Sequence, residues 1–167
     1  MCDRCGYELE SPDHIFVSCL FARCIWWNIF RWIKVPMPPE CISLGDLLES
    51  LQNTPGSQKW KRIVHTVALA SIWRIWIARN KKVFDGNFIT VQKTVEDIKE
   101  DAFVWISHRA NTVPSWDDWI NSDVSIMLQL FLFCFRLPLY FSQFLAGSIS
   151  IYRWFAVQKK KNLTNTF

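Results

Sequence analysis

The sequence lacks the short motifs on which most enzyme chemistry depends. It has no glycine-rich phosphate loop, no G-x-S-x-G motif and no H-E-x-x-H motif, and only five of its residues are glycines. A polymerase needs metal-binding carboxylates, usually in an aromatic-x-Asp-Asp turn. The Asp117-Asp118 pair follows a tryptophan directly, in a segment broken by Pro114, and we interpret it as a polar turn. The sequence therefore predicts a protein that is not an enzyme and has no small-molecule substrate.

Charged residues are also scarce, at 20% of 167 residues, whereas 50% of the chain is hydrophobic and includes ten tryptophans. This composition excludes an intrinsically disordered chain and is sufficient for a buried core. The length fits one domain, with or without a tail. Because no cleavable signal peptide precedes the six cysteines, we do not expect them to form a disulfide framework.

The first nineteen residues contain a metal-binding pattern. Cys2, Cys5, His14 and Cys19 form the series C-x2-C-x8-H-x4-C. Three thiolates and an imidazole are the Cys3His ligand set of a closed, tetrahedral structural zinc site, which leaves no open position for catalysis. Gly6 follows the second cysteine, where a tight turn around a metal favours a residue that tolerates positive φ. We therefore predict one structural Zn²⁺ bound by these four residues.

Two details of this pattern stay open in the sequence. Cys24 could replace Cys19 as the fourth metal ligand, although Cys24 also fits the apolar helix that follows. Ser11 and Pro12 indicate the start of a helix, with serine as the N-cap. His14 and Cys19 would then lie about 140° apart on an ideal helix, so both can face one ion only if the helix begins irregularly.

Apolar residues recur at helical spacing through the rest of the first 110 residues, and alternating strand patterns are nearly absent. The spacing predicts helices near residues 20–34, 43–52, 58–82 and 90–108. Ser43 and Thr90 are predicted N-caps, and Pro36, Pro38 and Pro39 are expected to stop the first helix. The third helix is expected to be central and to form a hairpin with the fourth. We predict an all-α domain with an irregular zinc loop at its N-terminus.

The charge is distributed unevenly around the third helix. Residues 50–84 contain no acid and seven basic residues, whereas residues 85–123 contain eight acids and three bases. Clustered bases with interleaved tryptophans can bind phosphates and stack on nucleic-acid bases. Core packing of the tryptophans and an ordinary solvated basic face are alternative interpretations. The pattern keeps RNA or DNA as candidate partners.

The C-terminal part of the chain is more apolar than the rest. Residues 126–157 are largely apolar, and the sequence predicts a hydrophobic helical tail. A membrane span needs about twenty apolar residues. The most apolar twenty-residue window, 126–145, would place Arg136 near the centre of the bilayer, where inserting a charged side chain costs several kcal/mol. The alternative interpretation is a segment that packs on the domain. We divide the chain into a zinc motif with its first helix at 1–34, a helical remainder at 35–112 and a tail at 113–167.

Two blocks of sequence resemble a known family. The string C-x2-C-G-x3-E-S-x2-H-I-F-x2-C, followed by a Trp-rich helix, is similar to the zinc-binding domain downstream of the polymerase in plant non-LTR (LINE-type) reverse transcriptases. Residues 72–84 resemble the W-x2-W-x2-R-N-x3-F segment that follows the zinc motif in such proteins. The resemblance covers about residues 1–110. Family members usually carry a Trp-rich segment before the first cysteine, whereas here Cys2 follows Met1, so we expect a truncated, retrotransposon-derived copy.

The resemblance implies a module that helps a reverse transcriptase polypeptide engage its RNA or target DNA. Four basic residues around the Arg-Asn block are the predicted nucleic-acid contacts: Arg74, Arg79, Lys81 and Lys82. The expected location is intracellular, in the nucleus or cytoplasm. The alternative is a small membrane-associated or interaction protein that is anchored by residues 126–157.

Overall fold

The computed structural model describes residues 1–38, 41–109 and 115–121, all of which belong to the first of two compact units, Met1–Cys134. Within these ranges every regular element is a helix and none is a strand. The irregular part lies around the Cys/His cluster near the N-terminus. The predicted all-α class, with an irregular N-terminal segment around a Cys/His cluster, is therefore confirmed. We refer to residues 1–19 as the metal-binding segment.

The described residues form a short π-helix, His14–Ser18, and five α-helices. The α-helices are α1 (Leu20–Ile33), α2 (Leu44–Gln52), α3 (Gln58–Asp85), α4 (Val91–Ser107) and α5 (Trp116–Asn121). The first four agree with the helices predicted from apolar spacing, except that α3 continues to Asp85. Gly86 ends α3 in the left-handed conformation, at φ 67°, which glycine adopts without strain.

Side-chain hydroxyls cap the N-terminal ends of α2, α3 and α4. The Ser43 hydroxyl accepts a hydrogen bond from the Asp46 amide at 3.1 Å, and the Asp46 carboxylate accepts one from the Ser43 amide at 3.0 Å. This reciprocal pair is a capping box. Ser57 and Thr90 cap α3 and α4 through their side-chain oxygens. The predicted caps at Ser43 and Thr90 are confirmed.

α1 ends before the first of the prolines that were expected to stop it. Lys34 adopts the left-handed conformation, at φ 55°. The amide of Val35 then donates to the Phe30 carbonyl at 3.1 Å, which satisfies a carbonyl of the last turn. A non-glycine residue pays a conformational cost at this position.

We expect Lys34→Gly to stabilise the protein by about 0.5–1 kcal/mol, because glycine relieves the left-handed strain but gains freedom in the unfolded chain. Denaturant unfolding of the two proteins measures the difference. Arg31→Gly, inside the last turn of α1, is the matched control and should destabilise by about 1 kcal/mol. A Lys34→Gly protein less stable than the original would contradict the assignment.

The third helix is the centre of the core, as predicted. α3 packs against α1, α2, α4 and the π-helix, and its most extensive contact is with α4. The Ser71 hydroxyl is fully buried and donates to the Val67 carbonyl at 2.8 Å, so its polar group is satisfied inside the helix. The buried face includes Val64, Val67, Ser71, Ile75 and Ala78.

The sequence predicts a break after Pro114, whereas the structure forms the short helix α5 there. The Ser115 hydroxyl accepts an amide hydrogen bond from the first turn and so restarts the helix. Trp119 is buried, lies edge-on to Trp32 with ring centroids 5.0 Å apart, and donates to the Lys99 carbonyl at 2.9 Å. α5 therefore packs on α4 and on the last turn of α1.

The predicted hydrophobic tail at 126–157 lies outside the described residues, and the predicted division at 1–34, 35–112 and 113–167 stays a prediction. Among the helices that the structure describes, none is long and apolar enough to cross a membrane.

Candidate metal centre

The structure brings the four predicted ligands together. One potential ligand atom from each of Cys2, Cys5, His14 and Cys19 lies within 4.8 Å of all the others. The sulfurs of Cys2 and Cys19 are 4.0 Å apart, and the Cys5 sulfur is 3.2 Å from His14 Nε2. All four side chains can therefore point at one ion.

These distances between ligand atoms suit a cation that is coordinated tetrahedrally. With sulfur ligands about 2.3 Å from zinc, a regular tetrahedron has edges of about 3.8 Å. The sulfur pair at 4.0 Å nearly matches that edge, and the longest separation of 4.8 Å exceeds it by about 1 Å. Cys2, His14 and Cys19 are buried, so the ligand set is closed on most sides. The donor set and its spacing can hold a metal ion.

A tight turn positions the first two cysteines. The Gly6 amide donates to the Cys2 carbonyl at 2.8 Å, and the Cys2 amide donates to the Glu8 carbonyl at 2.7 Å. Gly6 has φ 74°, in the left-handed region that favours glycine. The expectation that Gly6 serves a turn with positive φ is confirmed.

The π-helix resolves the angular mismatch between His14 and Cys19. Ser11 caps the turn that begins at Pro12, since its hydroxyl accepts from the His14 amide at 3.1 Å. The Cys19 amide then donates to the His14 carbonyl at 2.7 Å, which is the i to i+5 bond of a π-helix. Because a turn of π-helix contains more residues than a turn of α-helix, five steps along the chain bring Cys19 back to the side of His14. Cys19 itself leaves the helical conformation, with ψ 133°, and α1 begins after it.

A carboxylate that the sequence analysis did not single out orients the histidine. Glu8 Oε2 is 2.7 Å from His14 Nδ1, and the Ser18 hydroxyl is 3.1 Å from the same nitrogen. A metal-binding histidine typically donates its second ring N–H to a carboxylate, which fixes the tautomer and strengthens the ligand. Nε2 is thereby left to face the cysteines. No spacing rule marks Glu8 in advance, because the turn at Gly6 brings it back to His14.

The thiols have unlike proton affinities before a cation binds. Burial alone would raise the pKa of the Cys5 thiol, but hydrogen bonds from the Tyr7 amide and His14 lower it to about 7. Burial raises the pKa of the Cys19 thiol to about 12, although amides of the first turn of α1 act in the opposite direction. A bound divalent cation favours all thiolates, so metal binding should release protons and weaken at low pH.

The remaining described cysteines do not join the cluster. Cys24 lies on α1, half-buried and outside the four-residue group, and Cys41 precedes α2. The structure thus places Cys19, and not Cys24, with Cys2, Cys5 and His14. All five cysteines in the described residues are free thiols.

Long-range contacts attach this metal-binding segment to the helices. Arg79 on α3 donates through Nε to one oxygen of Glu10 at 3.0 Å and through Nη2 to the other. The Asp13 carboxylate accepts from the Leu44 amide at 2.9 Å, at the start of α2. Trp26 Nε1 donates to the carbonyl of Phe16 in the π-helix at 2.7 Å. The segment is therefore anchored to α1, α2 and α3.

Two of the four basic residues predicted to bind nucleic acid form ion pairs inside the protein. Arg74 donates to both oxygens of Asp101, at 2.5 and 2.6 Å, and to Asp97 at 3.3 Å. Arg79 forms a bidentate ion pair with Glu10, and the Arg79 side chain is 16% exposed. These carboxylates raise the pKa of both arginines.

The other two predicted contacts are more accessible. Lys81 is exposed and Lys82 is half-buried, near the C-terminal end of α3. Trp60 is buried, whereas Trp73 is 38% exposed and stacks on Trp76 with ring centroids 5.4 Å apart. The four basic residues therefore do not form a single free patch, and their role in nucleic-acid binding stays a prediction.

Comparison with known proteins gives no identification. No protein-family model matches the chain, and no curated protein and no solved structure shows significant similarity. The resemblance to the zinc-binding domain of plant non-LTR reverse transcriptases depends on the two sequence blocks alone.

Proposed function

We propose that this chain is a structural zinc-binding module, retrotransposon-derived and of the type that follows the polymerase in plant non-LTR reverse transcriptases. The single observation that carries the proposal is the convergence of Cys2, Cys5, His14 and Cys19 within 4.8 Å. Thiolate-rich sets with one imidazole favour Zn²⁺ over the harder Mg²⁺ and Ca²⁺, which prefer oxygen ligands.

The bound zinc would stabilise the folded structure. The three thiolates and Nε2 of His14 would complete its coordination, and Glu8 would hold the imidazole in the required tautomer. The Glu10–Arg79 ion pair supports the family assignment, because it joins the zinc motif to the Arg-Asn block. The two blocks that carry the resemblance are thus in direct contact, as expected if they form one module.

Metal analysis of the purified full chain tests this proposal. We expect one zinc per chain, and we expect Cys19→Ser to lower the zinc content severely because a thiolate ligand is lost. Cys24→Ser is the matched control and should leave the stoichiometry unchanged, since Cys24 lies outside the cluster. The proposal fails if the original protein takes up no zinc. The ligand assignment fails if the two variants behave in the reverse way.

We propose nucleic-acid association as a second function, at the surface of α3 around Trp73, Lys81 and Lys82. The observation that favours it is the partly exposed Trp73 ring in a stretch without acids. An accessible aromatic ring can stack on a base while lysines further along the same helix bind phosphates. The module would then help a reverse transcriptase polypeptide hold RNA or DNA.

This second function predicts binding to single-stranded RNA that weakens steeply with salt. Replacing both Lys81 and Lys82 by alanine should reduce the slope of log K against log salt by about 1.4, if each lysine contacts one phosphate. Filter binding or fluorescence anisotropy across a salt series measures the slope. Lys93→Ala on α4 is the control, because Lys93 pairs with Asp97 at 2.7 Å. Absence of binding near 50 mM salt, a low-salt condition of the order used for such contacts, would overturn this candidate.

A further inference from the structure

One basic residue of the metal-binding turn has an environment that the proposed function does not explain. The guanidinium of Arg4 lies between two aromatic rings, 3.5 Å from the centroid of Phe21 and 4.3 Å from that of Phe88. Its Nη2 donates to the Ile89 carbonyl at 2.8 Å. Phe88 and Ile89 belong to the connection between α3 and α4, so Arg4 links the turn to the far end of the α3–α4 hairpin.

The other N–H groups of Arg4 are buried without a hydrogen-bond partner among the described residues. Both Nε and Nη1 are inaccessible to solvent. No carboxylate in the described ranges pairs with this arginine, whereas Arg79 is balanced by Glu10. Burying part of a guanidinium without a counterion costs free energy, so these N–H groups need an acceptor.

Two of the predicted metal ligands, Cys2 and Cys19, are candidate acceptors. Arg4, Cys2 and Cys19 line the same small pocket. Three thiolates and a neutral imidazole around Zn²⁺ leave a net charge of −1, which a neighbouring guanidinium would offset.

We propose that Arg4 is a positioning residue of the metal centre: once a metal ion is bound, the buried N–H groups of Arg4 donate to the Cys2 and Cys19 thiolates, and its charge balances the metal–thiolate group. This inference depends on the proposed zinc function. The rings of Phe21 and Phe88 pack against the guanidinium and limit its rotation, which would keep its donors in place when the thiolates form. Hydrogen-bonded thiolates bind the metal with less charge repulsion and react more slowly with electrophiles.

The test is cobalt substitution of the full chain, because Co²⁺ bound by thiolates has charge-transfer bands that report on the sulfur atoms. We expect Arg4→Met to lower the affinity for Co²⁺ and Zn²⁺ by about 10- to 100-fold, as for other residues that support metal ligands. The charge-transfer bands should also move to lower energy, because the sulfur lone pairs lose their hydrogen bonds. Zinc release by a thiol-reactive disulfide reagent should become faster.

Two further variants separate this role from packing. Arg23→Met removes an exposed arginine of α1 and should change none of these properties. Arg4→Lys keeps the charge but loses the planar set of donors, and should keep the affinity better than Arg4→Met while still shifting the bands. If Arg4→Met does not fold, Arg4→Lys supplies the spectral test.

The outcomes distinguish the two proposals. If the original protein binds no metal, the proposed function fails and the role of Arg4 fails with it. If the original protein binds one metal and the folded Arg4 variants have unchanged bands, the inference about Arg4 alone is overturned. A loss of affinity without a band shift also overturns it, because packing alone would then account for the effect.

Discussion

Removal of zinc from the full chain should loosen the metal-binding segment well before the α3–α4 hairpin. Between Cys2 and Ser11, the described backbone hydrogen bonds within the segment are those of Cys2 with Glu8 and Gly6 with Cys2. Residues 6–9 are all exposed, so hydrophobic burial contributes little to the stability of this turn. Besides the contacts of Arg4 and Glu10 with the helices, we therefore expect the metal to supply much of the order in this turn, because metal binding in small structural sites supplies about 10–16 kcal/mol.

Hydrogen exchange before and after chelation measures this effect. We expect the amides of Cys2, Gly6 and Cys19 to exchange at least roughly 100-fold faster without metal, which corresponds to about 2.8 kcal/mol. Amides in the middle of α3, around Val67 and Ser71, should change far less because that region is buried among helices. An equal loss of protection throughout the described helices would show instead that zinc stabilises the whole domain as one unit.

The second large effect is expected at Arg79. Arg79→Ala should destabilise the protein by about 2–3 kcal/mol, because it leaves the partly buried Glu10 carboxylate without its bidentate partner. Lys81→Ala, two residues further along α3 and exposed, is the matched control and should cost less than about 0.5 kcal/mol. Urea unfolding of the zinc-loaded proteins measures both.

A double-mutant cycle with Glu10→Gln separates the ion pair from the rest of the Arg79 side chain. The coupling between the two positions should exceed 1 kcal/mol, in the range of residues that contact each other directly. A negligible coupling, or equal costs for Arg79→Ala and Lys81→Ala, would mean that Arg79 does not anchor the metal-binding segment. Arg79 would then be more available to a phosphate, as the sequence alone suggests.

The sequence was sufficient to predict the helices and the Cys/His cluster because both are local patterns. The apolar spacing along α3 and the serine and threonine caps of α2 and α4 depend only on neighbouring residues. The same holds for Cys2, Cys5, His14 and Cys19, which lie within eighteen positions of one another. The required irregularity before Cys19 also followed from helix geometry, although its form as a π-helix did not.

Contacts across long separations could not be predicted in this way. Arg74 and Arg79 appear in the sequence as free bases of an acid-free stretch, but each meets an acid far away in the chain, 27 and 69 positions distant. Glu8 and Arg4 acquire their roles only when the turn at Gly6 closes. α5 was missed because six residues are too few to show a period, and Pro114 suggested a break.

X-ray absorption at the zinc edge tests the proposed zinc centre, because it counts the atoms bound to the metal in the full chain. We expect three sulfurs at about 2.3 Å and one nitrogen at about 2.0 Å, with the imidazole signature of His14. Four sulfurs would mean that a further cysteine takes the place of His14, and would contradict the ligand set. A shell made mainly of oxygen or nitrogen, or no bound zinc, would contradict the zinc centre itself.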